Sequence, residues 1–268
     1  MAILTTPEGV GIHYESYGEG AKTILFVHGY FGSGESFTAV SADLLKDFRV
    51  VVFDHRAHGQ SDAPEDGYTI THLARDMKTL VDTLGLAPVI PIGYSMGTHV
   101  LWRYIELYGT GDFEKVVFSV MSPKLVTDER YKLGLHGDTP AQTALDMLVT
   151  ANRSMEEYVL RDLREGMSAE VEAAVRATAL RISLDFKHGQ IMRLLLAMFE
   201  HDFWPVLDMV NCPALVIAGD NDIYPTACHE EVARRLPDGK LVIVENSGHL
   251  VMYERPDIFF KAIREFVS

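Results

Sequence analysis

Cysteine and long apolar runs are both scarce in this chain. Cys212 and Cys228 are its only cysteines, too few for a disulfide framework and typical of a protein in a reducing compartment. No apolar run approaches the roughly 18 residues that a membrane-spanning helix needs. The first eight residues also lack the basic start and apolar stretch of a secretory signal. We therefore expect a cytoplasmic protein that does not enter a membrane.

Positive charge is scarce as well. The 268 residues include 24 Lys and Arg against 38 Asp and Glu, which gives a formal net charge of −14. Such a surface repels nucleic-acid phosphates and anionic lipids, so neither class of partner is expected. Hydrophobic residues make up 47% and charged residues 23% of the chain, which is ordinary for a folded protein and excludes disorder and coiled coil. The expected partner is a small-molecule substrate, and a homo-oligomer is left open.

Short β-branched runs alternate with longer helical patterns over most of the chain. Strands are predicted at 11–16, 23–27, 50–53, 89–92, 116–120, 214–218 and 240–244, and helices at 35–46, 69–84, 95–108, 226–235 and 256–267. Several strands are continuous apolar blocks, which is typical of a parallel sheet that helices cover on both faces. The pattern predicts an α/β fold with right-handed crossovers.

This alternation stops between residues 121 and 208. Helices are predicted there at 140–151, 155–165, 169–182 and 189–199, and six of the 11 methionines lie in this stretch. Methionine fills irregular apolar space, which fits ordinary helix packing as well as the adaptable inner surface of a lid. The position after a strand favours a lid, because α/β sheets build ligand sites at the carboxyl ends of their strands. The predicted organisation is a core of 1–120 and 209–268 with a helical lid at 121–208.

The strongest chemical signal is Gly93-Tyr94-Ser95-Met96-Gly97, which follows an apolar strand and opens a helix. A bare G-x-S-x-G pattern is weak evidence, but the strand-turn-helix context is that of a nucleophile elbow. Glycines on both sides permit the tight turn. The Ser95 hydroxyl would lie at the N-terminus of a helix, where the dipole favours developing negative charge. Ser95 is therefore the candidate nucleophile, and a glycine-rich turn with an idle serine is the alternative.

A serine nucleophile needs a base to accept its proton, and the base needs an acid to orient it. His249 is the candidate base among 11 histidines because it lies in a loop after the strand at 240–244, although a packed histidine is the alternative. The acid is expected in the loop after the strand at 214–218. Asp220 and Asp222 both lie there, and their spacing alone leaves the choice open.

Attack on a carbonyl also produces an oxyanion that needs backbone N–H donors. One donor is expected from Met96, the residue after the nucleophile. The other is expected from Tyr30 in the early loop His28-Gly29-Tyr30, where Gly29 lets the backbone approach closely. A plain glycine turn is the alternative for this loop. Apolar side chains expected to surround a substrate are Phe31, Met121, Trp204, Tyr224 and Leu250, and each of them fits a core position equally well.

Asp54, His55 and His58 form a second cluster of polar residues. Imidazole and carboxylate both ligate metals, so a metal site is one interpretation. The favoured interpretation is a structural loop that folds beside the elbow, and a place for His55 in the lining of the site is left open. No glycine-rich phosphate loop is visible. We therefore expect neither a metal nor a cofactor.

Together these segments resemble the α/β-hydrolase family over nearly the whole chain. The resemblance is carried by His28-Gly29, the segment Asp54-His55-Arg56-Ala57-His58-Gly59, the elbow, Gly219-Asp220-Asn221-Asp222 and Ser247-Gly248-His249, in the order serine, aspartate, histidine. The family pattern selects Asp222 over Asp220 as the acid and implies a lid over Ser95. Two residues depart from it: Ala57 and Thr98 replace frequent glycines, which predicts a differently shaped loop at Ala57 and altered helix packing at Thr98.

These residues predict acyl transfer through a serine ester intermediate. A carboxylic ester of a small hydrophobic substrate is the leading substrate class. Lactones, carbon–carbon bonds between acyl groups, thioesters and perhydrolysis need the same groups and stay open. The serine excludes the carboxylate nucleophile of haloalkane dehalogenases and epoxide hydrolases. Two other classes on the same fold, a ligand-binding receptor and a cofactor-free oxygenase, are outside alternatives.

Overall fold

An eight-stranded sheet forms the centre of the protein. The computed structural model describes residues 2–38, 44–163, 172–173, 175–177 and 188–268. The strands are β1 (Ala2–Thr5), β2 (Gly11–Tyr17), β3 (Lys22–Val27), β4 (Phe48–Phe53), β5 (Val89–Tyr94), β6 (Val116–Ser119), β7 (Ala214–Gly219) and β8 (Gly239–Val244). Their order across the sheet is β1-β2-β4-β3-β5-β6-β7-β8. Strands β1 and β2 are antiparallel to their neighbours, and β3 to β8 run parallel.

The helices occupy both faces of this sheet. They are α1 (Glu35–Thr38), α2 (Ile70–Thr83), α3 (Met96–Tyr108), α4 (Ala141–Arg153), α5 (Met155–Leu163), α6 (His188–Phe199), α7 (Thr226–Arg235), α8 (Val251–Glu254) and α9 (Pro256–Val267). Helices α2, α3 and α7 bury their apolar faces in one core cluster, and α9 buries its apolar face in the other. Strand β5 is buried at every position, as expected for a strand covered from both sides.

The predicted α/β architecture is confirmed, and the seven predicted strands match β2 to β8 closely. Strand β1 was not predicted; it is a short edge strand in which only Leu4 is buried. The helix predicted at 35–46 is found as an α-helix only in its first part within the described residues. Helix α1 covers Glu35–Thr38, and a 3₁₀ turn occupies Leu44–Lys46. Residues 39–43 lie outside the described residues.

The stretch 121–208 contains α4, α5 and α6. The helix predicted at 169–182 lies for the most part outside the described residues. Two 3₁₀ turns were not predicted, at Leu135–Gly137 and Trp204–Met209. Helix α4 packs against α5 and α6. Among the described residues, no helix is both long and apolar enough to cross a lipid bilayer.

Candidate active site

Ser95 occupies a sharp turn between β5 and α3. Its backbone φ of 52° and ψ of −121° lie in a region that non-glycine residues rarely adopt, and such a conformation costs about 1–3 kcal/mol. The surrounding packing requires both flanking glycines. A methyl group at Gly97 would overlap the Val27 carbonyl, and one at Gly93 would lie 2.9 Å from the Gly97 carbonyl oxygen. The elbow therefore projects the serine hydroxyl from the carboxyl end of the sheet.

The structure brings Ser95, His249 and Asp222 together at this edge. The Oγ atom of Ser95 lies 3.0 Å from Nε2 of His249, and Nδ1 of His249 lies 2.8 Å from Oδ1 of Asp222. The three residues follow the carboxyl ends of the parallel strands β5, β8 and β7. Parallel strands end at one edge of a sheet, which explains how residues far apart in sequence meet. This arrangement can transfer a proton from the hydroxyl to the imidazole.

Asp222 is fully buried yet stays ionised. Burial alone would raise the pKa of its carboxyl, but attraction to the protonated form of His249 and hydrogen bonds from His229 and His249 outweigh burial and hold that pKa below its usual range. A lasting negative charge beside Nδ1 stabilises a protonated imidazole. Asp220, the alternative acid, is used elsewhere, because its Oδ1 accepts the Ser247 N–H at 3.1 Å. It holds the loop that carries His249.

The loop after β3 lies against the elbow. A methyl group at Gly29 would come within 3.1 Å of Ser95 Cβ, so glycine is needed for the approach. The Gly29 carbonyl accepts hydrogen bonds from Nδ1 of His28 at 2.8 Å and from the Gly32 N–H at 3.0 Å. The Gly29 carbonyl and the Tyr30 N–H belong to the same planar peptide group and point in opposite directions. The two hydrogen bonds to the carbonyl therefore also fix the direction of the Tyr30 N–H.

Met96 is the other predicted donor. It is the first residue of α3, so its N–H has no acceptor within the helix. The N–H groups of Met96 and Tyr30 belong to the two segments that meet at Ser95. Their role as donors to an oxyanion stays a prediction.

The cluster around Asp54 is structural. Its carboxylate accepts hydrogen bonds from the N–H groups of Gly34 at 2.7 Å and Gln60 at 2.9 Å. The ring of His28 accepts the His55 N–H at 2.9 Å, and His55 is fully buried instead of lining the site. No group of three or more metal-ligating side chains with suitable geometry occurs within the described residues.

The two departures from the family pattern have simple outcomes. Ala57 adopts a φ of 63°, the left-handed conformation that a glycine would take, so the loop keeps the shape that glycine favours. This differs from the expectation of a reshaped loop. The hydroxyl of Thr98 donates to the Gly93 carbonyl at 2.9 Å, which ties the first turn of α3 back to β5.

A cavity of about 430 Å³ opens beside Ser95 and His249. Four predicted pocket residues line it, namely Phe31, Met121, Tyr224 and Leu250. Much of its remaining wall comes from the stretch 121–208 and is apolar: Leu125, Leu135, Tyr158, Val159, Val175, Leu195, Met198 and Phe199. Glu35 is the only carboxylate in the described lining, which contains no lysine or arginine.

The prediction that Trp204 lines the substrate pocket is wrong, because Trp204 is not part of the lining of this cavity. It begins a 3₁₀ turn, and its indole N–H donates to the Tyr131 hydroxyl at 3.0 Å. Its ring faces the Arg235 guanidinium, 5.5 Å from the ring centroid. Trp204 therefore packs the stretch 121–208 onto the core.

Two residues of the site were not predicted from the sequence. His229 donates to Asp222, and the Tyr94 hydroxyl donates to the His249 carbonyl at 2.5 Å. The position of His229 in the first turn of a helix after the acid loop is a signal for the first contact, because helix side chains lean toward the N-terminus. No sequence signal marks the second, since Tyr94 and His249 are 155 residues apart.

Comparison with known proteins agrees with this architecture. The family model for the alpha/beta hydrolase fold matches residues 22–256. An AB hydrolase superfamily protein of Bacillus subtilis is 27% identical over 267 residues, covering 98% of this chain and 97% of the relative. A bifunctional esterase/perhydrolase of Acinetobacter calcoaceticus is 26% identical over 273 residues, covering 93% of each.

The fold is also that of solved hydrolase structures. An esterase from Exiguobacterium antarcticum matches with a TM-score of 0.88 at 19% identity, covering 99% of this chain and 98% of that one. At this level of identity the likeness speaks for the fold alone. The family model, by contrast, spans most of the chain. The protein therefore belongs to the α/β-hydrolase family, and the prediction of a hydrolase is confirmed.

Proposed function

We propose that the protein is a serine hydrolase that cleaves a carboxylic ester of a small, hydrophobic, uncharged substrate through an acyl-enzyme. The observation that supports this most directly is the hydrogen-bonded line from Ser95 through His249 to Asp222 at the wall of an apolar cavity. A relative named as an esterase/perhydrolase adds support. Ester hydrolysis needs only these groups and water.

His249 takes the proton of Ser95 as the hydroxyl oxygen attacks the ester carbonyl. The N–H groups of Tyr30 and Met96 hold the oxyanion of the tetrahedral intermediate. His249 then gives its proton to the departing alcohol, which leaves an ester on Ser95. Water repeats the sequence, with His249 as its base, and releases the acid and the free serine.

The lining of the cavity supports an uncharged substrate. A carboxylate or phosphate on the substrate would need a cationic partner once removed from water. The described walls offer aromatic and aliphatic side chains and no lysine or arginine. The carboxylate of Glu35 would also repel an anion. A volume of about 430 Å³ is at the small end of the range for ligand sites.

The stretch 121–208 is assigned the role of a lid over this cavity. Its described residues supply much of the apolar wall of the cavity, and the Tyr30 hydroxyl donates to the Ile191 carbonyl of α6 at 2.9 Å. This bond ties the proposed oxyanion loop to the lid. Closure of the lid would exclude water from the acyl-enzyme.

The experiment compares Ser95→Ala with Ser33→Ala, a second serine that lines the cavity. Steady-state release of p-nitrophenol from p-nitrophenyl butyrate should fall at least about 10³-fold in Ser95→Ala. Ser33→Ala should keep most of its activity. Circular dichroism of each variant establishes that the fold is retained. Unchanged turnover in Ser95→Ala would refute the proposed function.

Perhydrolysis is a second candidate reaction, favoured by the relative named esterase/perhydrolase. Hydrogen peroxide would replace water as the acceptor of the acyl group, giving a peracid and the free serine. The two reactions share one acyl-enzyme. Peracid formation from an ester and added peroxide should therefore disappear in Ser95→Ala together with ester hydrolysis.

A further inference from the structure

Asp222 has a second histidine partner besides His249. Its Oδ2 atom lies 2.9 Å from Nε2 of His229, and both side chains have 0% exposure to solvent. Its Oδ1 atom faces Nδ1 of His249 at 2.8 Å. The two oxygens of one buried carboxylate are thus held by two imidazoles.

The hydrogen bond to Oδ2 has a defined direction. An ionised carboxylate can only accept hydrogen bonds, so Nε2 of His229 is the donor. Nδ1 of the same ring is buried and has no hydrogen-bond partner among the described residues. A proton on Nδ1 would be a buried donor without an acceptor, which is costly. The unpartnered Nδ1 thus favours the neutral tautomer of His229, with its proton on Nε2.

A neutral donor can hold a carboxylate without cancelling its charge. A lysine or arginine in this place would pair with Asp222 and weaken the field that favours a protonated His249. The neutral imidazole of His229 supplies direction but no net positive charge. Asp222 is consequently held in place while its full charge remains directed at His249.

The local structure explains why His229 reaches the acid. Helix α7 begins at Thr226, directly after Pro225, and His229 lies in its first turn. Helix side chains lean toward the N-terminus, so the imidazole points back to the loop that carries Asp222. Helix α7 packs on β7 and β8, the strands that lead to the Asp222 and His249 loops. One helix therefore packs on both strands and carries the donor.

We propose that His229 is a positioning residue: it fixes the plane of the Asp222 carboxylate so that Oδ1 faces His249, and it leaves the negative charge in place. This inference rests on the proposed function, because it requires Asp222 to act through His249. It assigns His229 no contact with the substrate. Its contribution should therefore appear in the chemical step and not in substrate binding.

The test uses His229→Leu, which removes the donor, and His229→Gln, whose amide N–H can replace it. One hydrogen bond to a charged group corresponds to about a 10- to 100-fold change in rate. His229→Leu should lower kcat for p-nitrophenyl butyrate by that factor and leave KM within about twofold of the wild type. His229→Gln should recover most of the lost kcat. A fully active His229→Leu variant would overturn the proposal.

A double-mutant cycle shows whether His229 acts through the acid. In an Asp222→Asn background, His229→Leu should change the residual kcat by less than about twofold, because the carboxylate it positions is gone. Two losses that multiply would overturn the proposal. A merely structural role would instead lower the melting temperature of both backgrounds and move kcat and KM together.

The wild-type protein provides a test that needs no variant. Nitrogen-15 NMR of the histidine rings should show His229 neutral at pH 7, with its proton on Nε2. A proton on Nδ1 would overturn the proposal even if every His229 variant failed to fold. Ser95→Ala distinguishes the proposed function from the role proposed for His229. An active Ser95→Ala variant refutes the proposed function, whereas an inactive one beside a fully active His229→Leu refutes only the role of His229.

Discussion

The hydroxyl of Tyr94 donates a hydrogen bond to the backbone carbonyl of His249 at 2.5 Å. Tyr94 directly precedes Ser95 and is the last residue of β5. The bond therefore ties the strand that carries the proposed nucleophile to the loop that carries the proposed base. The 3.0 Å distance between Ser95 Oγ and His249 Nε2 is thus supported by a hydrogen bond in which neither of these two side chains takes part.

Tyr94→Phe should lower both stability and kcat. The change leaves the His249 carbonyl without this donor, which costs about 1–3 kcal/mol when the group stays buried. A looser His249 loop should reduce kcat more than it raises KM. Thermal unfolding and steady-state kinetics measure the two effects. Tyr108→Phe, at a ring 41% exposed to solvent, is the control and should match the wild type in both.

Gly97→Ala should destabilise the protein, whereas Gly111→Ala should not. A methyl group at Gly97 would overlap the Val27 carbonyl, but one at Gly111 meets no atom within 4 Å. Forcing an extra methyl group into packed structure costs about 1–3 kcal/mol and sometimes more. Melting temperatures of the two purified variants give the comparison. Equal melting temperatures would contradict the close packing described at the elbow.

Stability should fall as the pH is lowered below about 6.5. Burial lowers the pKa of His28 to about 4 and that of His99 to about 3, while both titrate near 6.5 in the unfolded chain. The unfolded chain therefore binds more protons between these values. The contribution of each neutral histidine to the free energy of unfolding is fully present above pH 6.5 and is lost as the pH falls through the folded-state pKa. For His28 it amounts to about 3 kcal/mol at 1.36 kcal/mol per pKa unit.

Urea denaturation at a series of pH values measures this loss. His99→Gln and His28→Asn should each flatten the dependence of unfolding free energy on pH between about 6.5 and 4. Only His28→Asn should also lower kcat, since His28 holds the Gly29 carbonyl beside Ser95. Wild-type slopes in both variants would show that neither histidine is buried in its neutral form.

Anionic esters should be poor substrates. The ester p-nitrophenyl butyrate and the mono-p-nitrophenyl ester of succinic acid differ mainly by one carboxylate. The described cavity wall carries Glu35 and no lysine or arginine, so the anion should have the lower kcat/KM. A single like-charge contact near water is worth about 1 kcal/mol. Glu35→Gln should therefore reduce the ratio of kcat/KM for the butyrate ester to kcat/KM for the succinate ester by about fivefold. A preference for the succinate ester would contradict the proposed substrate class.

The sequence predicted those features that depend on local pattern. The apolar blocks at 24–27 and 50–53 identified buried parallel strands, and Gly93 and Gly97 around Ser95 identified the elbow. In the structure Asp222 faces His249, whereas Asp220 accepts the Ser247 N–H. Spacing of Asp220 and Asp222 did not decide this, because both lie in one loop and only its folded path separates them.

Contacts between distant segments could not be predicted from the sequence. Trp204 has the apolar character of a pocket residue, yet a hydrogen bond to Tyr131 and the guanidinium of Arg235 hold it elsewhere. The pairings of Asp222 with His229 and of Tyr94 with His249 likewise arise from tertiary packing. Strand β1 was missed because an edge strand with one buried residue has almost no hydrophobic pattern.

Covalent labelling of the proposed nucleophile is the most direct test of a serine hydrolase. The wild type and Ser95→Ala are treated with a fluorophosphonate and digested, and mass spectrometry locates the labelled peptide. We expect one adduct on Ser95 in the wild type and none in Ser95→Ala. An adduct on a different residue, or a wild-type enzyme that hydrolyses esters without forming any adduct, would contradict the proposed role of Ser95.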